Sequence, residues 1–145
     1  IFSLNESLHV ADMGYQNKRL FVVDHKKGVF IYEKEGDSFK FKDTFKVDLT
    51  EIVEYRQILL SHHNLYLVLE HKGQSSVMEG SFIDNKFYLI RYFKGYGQIT
   101  KLSIFMNKLL IQDANRVDLL PINRDPRVIA RTNNGFSYNH EHSVD

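Results

Sequence analysis

The 145-residue chain contains no cysteine, which excludes a disulfide framework and a thiolate metal site. That absence fits a reducing compartment and equally an oxidising one, since a large β-fold needs no staples. Long apolar runs are missing as well. Segments such as Gln57-Ile58-Leu59-Leu60 and Phe87-Tyr88-Leu89-Ile90 fall far short of the ~18–20 residues needed to cross a bilayer, so no membrane span is expected. There is no excess of one charge: 19 Lys and Arg against 18 Asp and Glu leave +1, and the signs alternate along the chain. Nucleic acid and anionic membranes call for a clustered basic face, so neither is an expected partner. The first residue is Ile1 rather than Met, and no basic segment precedes an apolar one. The chain therefore reads as an internal segment or a processed product, with any targeting signal outside it. Helical periodicity is nearly absent. Only 49–55, capped by Asp48 or Thr50, offers a helix, and it is too short to stand alone.

What is present is material for a core and a repeated strand chemistry. Hydrophobic residues make up 43% of the chain and aromatics 13%, ample for a domain of this length. Leu20-Phe21-Val22-Val23-Asp24, Tyr66-Leu67-Val68-Leu69-Glu70 and Leu109-Leu110-Ile111-Gln112-Asp113 each hold mostly apolar residues closed by an acid. Each is entered through a polar turn: Asn17-Lys18-Arg19, His63-Asn64-Leu65 and Met106-Asn107-Lys108. Starting at 20, 66 and 109, the runs are 46 and 43 residues apart, within the roughly 40–50 expected for blades of a β-propeller.

Strand signals extend from end to end. Phe39-Lys40-Phe41-Lys42 and Phe45-Lys46-Val47-Asp48 alternate apolar with charged residues, the period-2 signature of a half-buried strand. Their outward lysines discourage edge-to-edge pairing and suit an outermost strand. Turn residues punctuate the runs at 25–28, 35–37, 71–74, 83–86 and 114–116. The expectation is an all-β fold of antiparallel four-stranded blades forming a partial β-propeller. Strands are expected at 8–14, 19–24, 28–34 and 39–47, then 55–61, 65–71, 76–82 and 86–93, then 99–105, 108–113, 116–122 and 127–132. The blades are thus 8–47, 55–93 and 99–132 of one segment spanning 1–145, with 133–145 a polar tail or a connection.

The run Leu20-Phe21-Val22-Val23-Asp24-His25-Lys26-Lys27-Gly28-Val29-Phe30-Ile31-Tyr32 resembles blades of LVIVD-repeat and related six- to eight-bladed propellers. The resemblance covers about one repeat. In the second, the strand after the turn is less apolar, and in the third the turn glycine is missing and Pro121 interrupts. It implies a blade architecture and no particular activity, since propellers host enzymes, receptors and scaffolds alike. Three blades cannot close a ring that needs about four to eight. If an open blade face matches ~800 Å² of ordinary interface, leaving it uncovered forfeits on the order of 10 kcal/mol, as much as a domain's whole net stability. Further blades of the same protein, or other proteins, are therefore the expected partners.

Residues that invite a chemical role each have a plainer reading. Asp24, Glu70 and Asp113 at matching ends of neighbouring sheets are separated by ~10 Å, too far to share a hard cation that needs oxygens at ~2.3–2.6 Å. They are expected to accept backbone N–H bonds in the turns that follow. Of the seven histidines, His62 and His63 point to opposite faces if they lie on a strand. His140 and His142, flanking Glu141, lack a third ligand at a zinc spacing. His25 and His71 read as surface turn residues. Gly73-Gln74-Ser75 begins like a nucleophile elbow, but Val77 stands where the final glycine is required. Gly95-Tyr96-Gly97 is a lone GxG with no following helix to bind an anion, and reads as a corner between blades. The aromatics Phe82, Phe87, Tyr88, Tyr92, Phe93 and Tyr96, interleaved only by Lys86, Arg91 and Lys94, read as sheet packing rather than a stacking platform.

No catalytic, cofactor-binding or metal-ligating residue set emerges, and no cofactor is implied. The expected function is a non-enzymatic scaffold or protein-interaction module within a larger structural subunit or complex. The alternatives are a metal-dependent hydrolase or lactonase of the propeller kind, or a carbohydrate-binding receptor ectodomain; the sequon Asn5-Glu6-Ser7 is of the number that chance supplies.

Overall fold

The computed structural model describes residues 7–47, 49, 51–61, 64–83 and 86–122. Among these residues eleven strands run: β1 (Val10–Gln16), β2 (Arg19–Asp24), β3 (Gly28–Glu35), β4 (Ser38–Phe45), β5 (Glu54–Leu60), β6 (Leu65–His71), β7 (Gln74–Ile83), β8 (Lys86–Tyr96), β9 (Lys101–Phe105), β10 (Lys108–Gln112) and β11 (Val117–Pro121). They form three antiparallel meanders: β1-β2-β3-β4, β5-β6-β7-β8 and β9-β10-β11. The fold is all-β as expected, and no helix occurs among the described residues; β5 takes 54 and 55 of the segment where a helix was conceivable. Other differences are at strand ends. β1 is shifted two residues toward the C-terminus, β7 is longer at both ends, and β8 continues through Gly95 and Tyr96, so the corner between sheets begins only at Gly97. The expected strand 127–132, the tail 133–145, the sequon at Asn5, and the cap candidates Asp48 and Thr50 lie outside the described residues. So do His62, His63, Asp84, Asn85, His140 and His142.

Tight turns follow from local chemistry. Asn17 and Lys18 (φ 53° and 64°), Lys72 and Gly73 (51° and 79°), and Met106 and Asn107 (49° and 61°) are two-residue turns with both central residues left-handed. This is the type I′ geometry whose twist matches the flanking strands. β2 and β3 are joined differently, through His25, Lys26 and Lys27 into Gly28 at φ +106°. A Cβ on Gly28 would lie 2.5 Å from the Phe45 carbonyl oxygen, so glycine lets β4 close over the turn. Gly80 serves similarly: the Phe87 ring lies across its bare Cα and stacks on Phe45 of the first sheet at 4.6 Å.

The sheets stack face to face with the second in the middle. One of its faces (Ile58, Leu65, Leu67, Leu69, Met78, Tyr92) meets Phe21, Val23, Val29 and Ile31 of the first sheet. The other (Tyr66, Val68, Val77, Phe93, Tyr96) meets Leu102, Leu109 and Ile111 of the third. β6 is therefore apolar on both sides and buried from Leu65 to Leu69, as a strand covered on both faces requires. The inner edges touch, with Gly14 of β1 lying under Leu60 of β5. At the opposite edges, Phe45 at the end of β4 meets Phe87 near the start of β8. β4 is the free edge of the first sheet, and its Lys40 and Lys42 are exposed, as the alternating pattern predicts.

The stacking corrects the phase of the repeat. Successive strand residues face opposite sides, so a one-residue slip reverses every side chain. Val22, Leu67 and Ile111 all point toward the preceding side: Leu67 at the first sheet, Ile111 at the second, and Val22 away from the second. The equivalent positions are hence 20, 65 and 109, spaced 45 and 44, and not 20, 66 and 109. The register shifts agree, since β1 is irregular between Val10 and Asp12 and β5 between Tyr55 and Gln57. Glu70 consequently falls out of line with Asp24 and Asp113, whose place in the second sheet is taken by Leu69.

Candidate functional site

Asp24 and Asp113 do the same work at the same place in two sheets. The Asp24 carboxylate accepts backbone N–H bonds from Lys26 and Lys27 on Oδ1 (2.8 Å each) and from His9 on Oδ2 (2.7 Å). That of Asp113 accepts from Asn115 and Arg116 on Oδ1 (2.8 and 3.0 Å) and from Gly97 on Oδ2 (2.9 Å). Each buried acid ties a hairpin turn to the approach of its sheet's first strand, the turn role its sequence position suggests. Glu70 does not. Its side chain reaches the Nε of Arg56 at 2.9 Å on the surface, and Arg56 also contacts Glu54 at 2.6 Å. A third acid, Asp12, joins two sheets. Its Oδ1 accepts from the N–H of Met13 and its Oδ2 from that of Ile58, both at 2.9 Å. Those two amides are equivalent positions of adjacent inner strands.

Burial raises the Asp24 pKa, but the three N–H donors and nearby His25 outweigh it and hold the carboxyl below its ordinary value. For Asp113 the donors Asn115 and Gly97 dominate, with the same net direction. A folded-state pKa below the unfolded value of about 3.9 gives stability that is complete above that pH and is lost as pH falls through the lower folded value. Acid titration of unfolding in the Asp24→Asn/Asp113→Asn variant should therefore show lower stability at neutral pH. It should also show a shallower decline below pH ~4 than the parent protein. Parallel acid limbs would contradict the clasps.

A second polar group is buried between the second and third sheets. Glu79, with 0% exposure, receives Arg91 Nε at 2.5 Å and Nη2 at 3.3 Å, and Asn64 Nδ2 at 3.2 Å. Arg91 also donates from Nη2 to the Pro121 carbonyl of β11 at 2.7 Å and lies over the Phe93 ring. Tyr66, 3.3 Å from Asn64 Nδ2, has its phenol pKa raised by burial and by Glu79. Further out, Tyr96 donates to Asp118 Oδ2 at 2.6 Å beneath the Arg116 guanidinium. These contacts bind β8 to β11. The role of Glu79 and Arg91 is invisible until the β7–β8 register pairs them.

The other sequence candidates are dispersed. His25 and His71 both sit at hairpin turns. His25 faces His9 with ring centres 5.6 Å apart, and His71 places Nδ1 2.8 Å from the Ile52 carbonyl and Nε2 3.4 Å from Glu51. Among the described residues no three His, Asp or Glu side chains are grouped to hold a metal ion. Ser75 is buried, its Oγ 3.4 Å from the Ile99 N–H. Gly97 serves the Asp113 clasp. Tyr92, Phe93 and Tyr96 are core residues, as read. Among the described residues no helix is long and apolar enough to cross a membrane.

The surfaces that stand out are the two outermost faces. On the first sheet, the side turned away from the second carries Val22, Phe30 and Tyr32 with Leu20 and Phe39 against them. By register Met13, Tyr15 and Phe41 join this face, with 54%, 52% and 46% exposure. Tyr15 meets Phe39 edge-on, and Phe41 packs beside Phe30 and Tyr32. On the third sheet, the side away from the second carries Phe105, Leu110, Val117 and Leu119; Phe105, Val117 and Leu119 are comparably exposed. Contiguous apolar surface of this kind marks interaction sites. Sequence pattern identified these strands but not which faces lie open. The chain matches no protein-family profile and no curated protein sequence.

Proposed function

We propose that the chain is a run of three blades of a β-propeller that acts as a non-enzymatic scaffold, joining other proteins or further blades through its outer faces. The observation that carries this reading is the common sense of the three sheets: equivalent residues Val22, Leu67 and Ile111 all face the preceding side. A repeated rotation about one axis produces that relation, whereas a sandwich of mirrored faces does not. Two further features support it. Inner strands β1 and β5 lie side by side, held by the Asp12 carboxylate, while the outer strands meet end to start at Phe45 and Phe87, as strongly twisted blades require. Of the apolar residues on the outer flanks, Met13 corresponds to Ile58, Leu110 to Tyr66 and Val117 to Val77, all three buried in the second sheet.

Oxidative footprinting of the full-length protein tests the reading. Tyr15 and Phe41 should react several-fold more slowly than Met106, a loop side chain with 80% exposure, relative to each residue's intrinsic reactivity. Normalised rates for Tyr15 and Phe41 equal to that of Met106, in a preparation without stable protein partners, would defeat it.

A further inference from the structure

Three consecutive apolar side chains stand in solvent at the tip of the β9–β10 hairpin: Ile104, Phe105 and Met106, with 38%, 50% and 80% exposure. Single exposed apolar residues are ordinary, but the turn itself does not ask for methionine. Met106 is left-handed at φ 49°, a conformation that asparagine and glycine accept and other side chains enter at a cost. Strand pairing makes Met106 and Asn107 the equivalents of Asn17 and Lys18, since Phe105 pairs with Lys108 as Gln16 pairs with Arg19. Asparagine thus fills at the first tip the place that methionine fills at the third. Lys18 and Lys72 are left-handed too, but their charged ends belong in water, whereas Met106 has neither a favoured backbone nor burial. Backbone strain retained at such a residue is characteristic of segments that contact a ligand. Stacking of a further sheet does not cover it: the tip at Asn17 and Lys18 stays exposed although the second sheet covers one side of its strands.

We propose that this tip is the anchor by which the scaffold holds a partner protein, with Met106 and Phe105 entering an apolar pocket whose rim is acidic. The inference rests on the scaffold reading and adds the contact surface and the chemistry of what meets it. Methionine and aromatic side chains are enriched at interfaces, where they fill desolvated pockets. The sign of the rim follows from the tip's surroundings. Lys108 lies between Phe105 and Pro121 on the outer side of the third sheet, and register places Lys101 on that side too; both lysines are exposed. Among the described residues that side of β9, β10 and β11 carries no acid. Asp118 is on the other side, bonded to Tyr96, and Asp113 is occupied by its turn. A flat lipid surface fits less well. The first sheet brings Asn17-Lys18 and Glu35-Gly36-Asp37 to the same end, and a bilayer would meet those acids as well, whereas a pocket takes one tip by itself.

A photo-crosslinking side chain tests this in the full-length protein within its own cells. p-Benzoylphenylalanine is placed at Asn107, beside the anchor, and in a separate variant at Lys18, its counterpart on the first sheet. The expected result is a product that joins the Asn107 probe, and not the Lys18 probe, to an apolar stretch of one other protein. Its yield should fall about tenfold or more with Met106→Asn and with Lys101→Glu/Lys108→Glu. Asparagine suits the left-handed turn, so Met106→Asn should melt no lower than the parent protein, and a lost product then reports a lost contact rather than a lost fold. A product attached to lipid puts a membrane in the partner's place and overturns the proposal. Attachment within the same chain, equal yields from the two probes, or no product at all overturns it too. A yield indifferent to Met106→Asn removes the anchor, and one indifferent to the lysine reversals removes the acidic rim; either result is fatal. None of these outcomes involves Tyr15 or Phe41, whose footprinting decides the blade reading separately.

Discussion

Replacing Arg91 with alanine should cost about 3–5 kcal/mol of stability, the penalty for removing one charge of a buried ion pair. Glu79 has no exposed surface, and its two oxygens receive the guanidinium at 2.5 and 3.3 Å. The Asn64 amide and the Tyr66 hydroxyl, both neutral, do not offset that charge. The same substitution removes a bond to the Pro121 carbonyl, so β11 loses a tether to β8. Chemical denaturation measures the loss. Replacing both partners with apolar residues of similar volume, Glu79→Leu with Arg91→Met, should restore most of it, because the pair's worth lies largely in mutual compensation. Arg56→Ala is the contrast. Its contacts with Glu54 and Glu70 are on the surface, with its side chain 47% exposed, and the expected cost is within ~1 kcal/mol. A loss for Arg91→Ala no larger than that for Arg56→Ala would show that Glu79 is served by other donors.

Gly28→Ala is expected to cost about 3 kcal/mol from combined backbone strain and overpacking. At φ +106° a side chain is disfavoured by its own backbone, and the added carbon meets the Phe45 carbonyl at 2.5 Å and the Lys46 Cα at 3.3 Å. The neighbour is main chain, so nothing can rotate aside. Because Phe45 also stacks on Phe87, the displacement should reach the junction between the first two sheets. Gly36→Ala isolates the conformational part: φ is +61° there and nothing lies within 4 Å, which predicts only ~1–2 kcal/mol. Equal thermal shifts for the two variants would mean that the approach of Phe45 relaxes freely.

How much was legible depends on whether local chemistry or meeting surfaces decide a feature. Arg19–Asp24 and Leu65–His71 match the expected strands end for end, because apolar runs bounded by turn residues need no tertiary help. The turn role of Asp24 and Asp113 was readable for a similar reason: an acid closing a strand finds the N–H groups two and three residues on. Glu70 misled because Tyr66-Leu67-Val68-Leu69 is apolar on both sides. A strand buried on both faces has no polar alternation to set its phase, and matching by residue type alone slipped the second repeat by one. Glu79 and Arg91, twelve residues apart, carried no signal, since their meeting depends on the register of β7 with β8 and on the third sheet closing over them.

The amino-acid order alone thus determined the class of fold, the number of sheets and most of the hairpins, all set by alternation and turn propensity over a few residues. Only the tertiary structure decided which side of each sheet meets its neighbour, the acids that clasp or latch neighbouring strands, and the two outermost faces of the described sheets. Those depend on which side of each strand meets which sheet, and a side chain's own chemistry does not encode the surface opposite it.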